Sequence, residues 1–78
     1  MDAAAQYHAL ANVNKADVRR FLVQITFGSQ LAAARRFGRT RTTVNQVVSL
    51  SRRSRPLDSL LYGEIKKKHP ELARLWAA

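Results

Sequence analysis

From Arg39 to Leu50 the chain reads RTRTTVNQVVSL, a run rich in hydrogen-bonding side chains and free of acids. At about 100° per residue, Val44, Val47 and Val48 fall on one side of a helix. Arg41, Thr42, Asn45, Gln46 and Ser49 fall on the other, with Thr43 between. A helix that buries the valines therefore turns an array of donors and acceptors outward. These types match base-pair edges. The arginine fork fits the two guanine acceptors in the major groove, Asn and Gln pair with adenine, and Thr offers a hydroxyl and a methyl. A helix needing only solubility more typically carries Glu and Lys, which are better helix formers.

The charge balance points the same way. Fourteen Lys and Arg against five Asp and Glu give a formal +9, a field that favours polyanions. From Arg19 to Arg55 there is no acidic residue, while arginines recur throughout. A phosphate-lined partner explains that asymmetry better than solubility does. Double-stranded DNA is the first expectation; an acidic protein or membrane surface is the other class of partner for such a field.

Other chemistries lack their residues. The chain has no cysteine, which excludes disulfides and thiolate metal sites. There is no carboxylate pair, no Gly-rich phosphate loop and no metal-spaced histidine cluster, since His8 and His69 stand alone. Asp17 and Asp58 are lone acids at expected helix starts. No enzyme activity, cofactor, metal or small-molecule substrate is expected. No apolar run approaches the length of a membrane span. The start, MDAAAQYHALANV, has neither the pattern of a secretory signal nor an arginine, so a cytoplasmic, nucleoid-associated protein is expected.

The elements that must position the array are helical. Strand alternation is weak, and the expected class is all-α: a compact bundle of five or six short helices. Residues 1–13 read as an arm or short helix, in which Ala3, Tyr7 and Leu10 share a face; residues 14–78 form the single domain. Asn14 caps a helix over KADVRRFLVQITF, with Asp17 in its first turn and Val18, Phe21, Leu22 and Ile25 directed inward. Gly28 ends it. Ser29 or Gly28 starts a second helix, roughly Gln30 to Phe37, and Gly38 closes it in a left-handed cap. Thr40 caps the third, Arg41 to about Leu50. After the basic joint SRRSRP, bounded by Pro56, a helix carries Leu57, Leu60, Leu61 and Ile65 on one face, and its three final lysines suit the dipole. Pro70 starts a last short helix, in which Leu72, Leu75 and Trp76 make either the final core packing or a dimer contact.

The stretch QLAAARRFGRTRTTVNQVV, Gln30 to Val48, resembles the helix-turn-helix unit of bacterial and phage DNA-binding proteins. Ala34 stands at the fifth place, where that family has a small residue. Phe37 precedes the turn glycine Gly38, and Val44 and Val47 match two buried places of the second helix. Close helix packing requires the small side chain, and the turn requires positive φ. The wider layout from Asn14 to Trp76 resembles small phage repressors of the Cro and repressor type and the Ner-type regulators of transposable phages. Arg39 departs from the family, which has an apolar residue there, and Ala33 is smaller than the usual occupant.

The resemblance implies a sequence-specific regulator of transcription, a repressor by default, acting as a homodimer on DNA. It places Arg41, Thr42, Asn45 and Gln46 in the major groove. It gives Gln30, at the start of the first motif helix, a phosphate contact or a supporting one. Arg39, Thr40, Arg52 and Arg53 flank the motif as phosphate contacts. Arg35 and Arg36 either add to the same field or are solvated charges, and Arg52, Arg53 and Arg55 are otherwise a basic joint. The motif is also similar to units of transposases and DNA invertases, so an architectural or targeting DNA-binder with little sequence preference stands as the alternative.

Overall fold

Four of the expected caps set the helix limits in the computed structural model, which describes residues 14–77. Asn14 Oδ1 accepts the Asp17 amide at 2.9 Å and starts α1, Lys15–Phe27. Gly28, at φ 89°, ends it. Ser29 Oγ accepts the Ala32 amide at 3.0 Å and starts α2, Gln30–Phe37. Thr40 Oγ1 accepts the Thr43 amide at 3.1 Å and starts α3, Arg41–Val48. α4 is Arg55–Lys68, with Asp58 in its first turn and Lys66, Lys67 and Lys68 in its last. α5, Arg74–Ala77, completes five helices, and the described residues contain no strand. The all-helical architecture is thus as read from the sequence. Residues 1–13, read as an arm or short helix, lie outside the described residues.

The core is a layer of short aliphatic side chains closed by one tryptophan. Leu22 and Val23 of α1, Ala33 and Ala34 of α2, and Val44, Val47 and Val48 of α3 are buried together. Leu57, Leu61 and Ile65 of α4 meet them at i, i+4, i+8 spacing, and Trp76 seals the end. Methyl-sized side chains on α2 and β-branched ones on α3 let those two helices approach closely. Phe27 and Phe37, at the last residues of α1 and α2, pack edge to face with ring centres 5.7 Å apart. Trp76 joins the core in this chain, with Leu72 and Leu75 partly buried against it. No helix among the described residues is long and apolar enough to cross a membrane.

Four expectations need correction. On α1, Val18 and Leu22 are buried and Ile25 packs partly buried against the core as expected, but Phe21 is 40% exposed and Arg19, Val23 and Thr26 complete the inward stripe. Leu60 is likewise 42% exposed, because Leu57, Leu61 and Ile65 already fill the contact line of α4. α3 stops at Val48, two residues early, because Leu50 adopts φ 66°. Pro70 opens tight turns, with Leu72 and Ala73 amides bonding His69 O, and α5 begins only at Arg74.

Candidate nucleic-acid interface

The turn between α2 and α3 is built from main-chain bonds. Gly38 has φ 65° and ψ 36°, the left-handed region. Its amide donates to Arg35 O at 3.5 Å, and the Arg39 amide reaches back to Ala34 O at 2.8 Å. This paired closure ends α2 and reverses the chain at once. Thr40 then caps α3, and its hydroxyl proton is directed to Thr43 Oγ1 at 2.9 Å. The Thr40 side chain is therefore part of the cap.

With the three valines buried, the outward arc of α3 is settled. Arg41, Thr42 and Asn45 are exposed, and together with Gln30 from the first turn of α2 they line an open recess of about 250 Å³. Four of the residues singled out from the sequence thus share one concavity. Gln46 does not line it; it is half-buried, and its carbonyl gathers donors from Ser51 N at 3.0 Å, Arg52 N at 3.2 Å, Ser51 Oγ at 3.2 Å and Ser49 Oγ at 3.3 Å. Those bonds wrap residues 49–52 around the end of α3, so the joint begins as a defined turn. Arg39, just before α3, and Arg52 and Arg53, just after it, are exposed.

Three of the acids form ion pairs away from the recess. Asp17 pairs with Arg20 at 2.6 Å, Asp58 with Arg19 at 2.7 Å, and Glu64 with Arg36 at 3.6 Å and Lys67 at 3.9 Å. Arg36 is thereby drawn toward α4. Among the described residues, Arg39, Arg41, Arg52, Arg53 and Arg55 take part in no ion pair. In the chain these arginines stand at the start of α3 and in the segment that follows it.

One residue of the site's support escaped the sequence reading. Arg19 is 3% exposed, inside the core. Its Nε donates to Val48 O at 2.9 Å, Nη2 to Val47 O at 3.0 Å and Nη1 to Trp76 O at 3.1 Å, while Nη2 also meets Asp58 Oδ1. The guanidinium carbon lies 3.6 Å from the centre of the Trp76 ring. Burying a charge costs several kcal/mol unless its donors are met. Here all but one of the N–H groups have partners. The positive group also sits at the carbonyl end of α3, where the helix dipole favours it. The available signal was spacing: Arg19, Leu22, Val23 and Thr26 form an i, i+3, i+4, i+7 stripe interrupted by a charge.

No family model, no curated protein and no solved structure matches the chain.

Proposed function

We propose that this protein is a sequence-specific, double-stranded DNA-binding regulator of transcription that reads the major groove with α3. The observation that carries the reading is the recess lined by Gln30, Arg41, Thr42 and Asn45, on a helix whose three valines are all buried. Arg41 would pair with guanine and Asn45 with adenine, each bidentate, with Thr42 against a thymine methyl or a base acceptor. Gln46, half-buried on the same helix, would reach the same groove. Gln30, Arg39, Arg52 and Arg53 hold phosphates on either side, and the Thr40–Arg41 start of α3 brings the positive end of a helix dipole toward the backbone.

A helix of eight residues spans only a few base pairs. A useful site therefore calls for two copies, so a homodimer on an inverted repeat is part of the proposal, with repression by promoter occupancy as its simplest outcome. The placement is cytoplasmic, on the nucleoid.

Arg39, Arg52, Arg53 and Arg55, exposed and in no ion pair among the described residues, favour a second reading: an architectural or targeting binder that holds the backbone with little preference for sequence. Selection of bound duplexes from a random pool decides between them. An inverted-repeat consensus supports the regulator. Retention of duplexes without a consensus supports the architectural binder, and absence of duplex binding at moderate salt overturns both.

A further inference from the structure

Two short helices carry the recess, and their relative angle decides whether its side chains meet base edges. The N-terminal end of α3 is held by the Gly38 turn and the Thr40 cap. Its flank is held by small residues, Ala33 and Ala34 against Val44, Val47 and Val48. Toward α2 this packing allows close approach with few large interdigitating groups to resist rocking, while toward α4 the same valines share the core with Leu57 and Leu61. The C-terminal end is held by a different device, the Arg19 guanidinium on the carbonyls of Val47 and Val48. The same guanidinium takes the Trp76 carbonyl and the Asp58 carboxylate, so α3 is referenced to α1, α4 and α5 through one planar group.

From this convergence we infer that Arg19 is a positioning residue for DNA reading, fixing the tilt of α3 so that Arg41, Thr42 and Asn45 hold one geometry. The inference rests on the reading of α3 as the base-contacting helix. Rocking α3 by about 10° about its start moves Asn45, about 6 Å along the axis, by about 1 Å. Hydrogen bonds to base edges weaken steeply over such a shift. Phosphate contacts from long arginines are long-ranged and adjust. Loss of the clamp should therefore reduce discrimination between duplexes far more than it reduces backbone affinity. Lysine cannot replace the group, because its compact ammonium cannot reach three carbonyls and a carboxylate in one plane.

The test compares the duplex selected by the wild-type chain with a scrambled duplex of equal length and composition, at a temperature where circular dichroism shows every variant folded. Arg19→Lys is expected to lower the ratio of the two affinities at least tenfold, with scrambled-duplex affinity within about twofold of wild type. Ile65→Ala, which opens the core on α4 away from these carbonyls, is expected to lower thermal stability and leave the ratio unchanged. If Arg19→Lys shifts both affinities equally, or shifts neither, Arg19 only holds the fold and the inference is overturned. Should Arg19→Lys not fold, the wild-type chain provides the measurement. Coupling between clamp and groove is reciprocal, so exchange of the Arg19 Nε proton should slow at least tenfold more on the selected duplex than on the scrambled one. Equal slowing on both overturns the inference. A wild-type chain that selects no preferred duplex sinks the base-reading proposal itself, before any variant of Arg19 is compared.

Discussion

Gly38 and Leu50 hold the same positive φ at the ends of consecutive helices, 65° and 66°. Each closes its helix with the same pair of bonds: Gly38 N to Arg35 O with Arg39 N to Ala34 O, and Leu50 N to Val47 O with Ser51 N to Gln46 O. At one position the residue suits the conformation; at the other a Cβ stands against the following carbonyl, at a cost of roughly 1–2 kcal/mol. Leu50 is 50% exposed and recovers little of this by burial. Leu50→Gly should therefore stabilise the fold by about 0.5–1 kcal/mol after allowing for the greater freedom of glycine when unfolded. Gly38→Ala should destabilise it by about 1 kcal/mol through the backbone alone, since a Cβ there meets nothing within 4 Å. Urea midpoints moving in the same direction for both would refute the equivalence.

Thr40 was expected on a phosphate, and its hydroxyl is instead engaged with the amide and hydroxyl of Thr43. Thr40→Ala should cost about 1 kcal/mol, and Thr40→Asn, which retains a capping oxygen, should cost much less. Thermal unfolding of the free protein reads this difference. Equal losses in the two variants would mean that the cap contributes nothing measurable.

The recess and its flanks should respond to substitution in different ways. Arg41→Ala and Asn45→Ala are expected to weaken binding to the selected duplex by about 1–3 kcal/mol each and to spare scrambled DNA. Arg52→Ala and Arg53→Ala are expected to weaken both duplexes alike and to reduce the slope of log affinity against log salt by about one each. Titrations at several salt concentrations separate the two classes. If Arg41→Ala lowers both affinities by one factor, Arg41 is not a base-reading residue.

Trp76 is buried against a charged group as well as against the apolar layer. Trp76→Ala should cost about 3–5 kcal/mol, enough to abolish cooperative unfolding in so small a domain. Trp76→Phe keeps an aromatic face over the guanidinium and should remain folded with a lower midpoint. Far-ultraviolet circular dichroism in urea follows both. A Trp76→Ala chain with a wild-type midpoint would show that the seal is dispensable.

Much of the fold was legible from local chemistry. The ranges of α1 and α2 follow from Asn14, Gly28, Ser29 and Gly38, residues whose capping preferences need no tertiary context. The outward arc of α3 was equally legible, because three valines and a cluster of polar types separate cleanly on a wheel. Tertiary choices were not. Arg19 is a surface residue by type, and its burial is made favourable by groups far along the chain: the carbonyls at the end of α3, the Trp76 carbonyl and ring, and the Asp58 carboxylate. Its inward turn carries Phe21 outward. Leu50 gave no local sign of a left-handed backbone, since that conformation is imposed by the bonds closing on Gln46 O and Val47 O.

The acceptors that hold Arg19 to α3 are main-chain oxygens, and every amino acid supplies one. Substitutions at positions 41, 42 and 45 leave those oxygens where they are, as long as the valines beneath remain. The exposed letters of this helix can thus be rewritten independently of its anchorage, so a change in what the outward arc contacts need not carry a loss of foldedness.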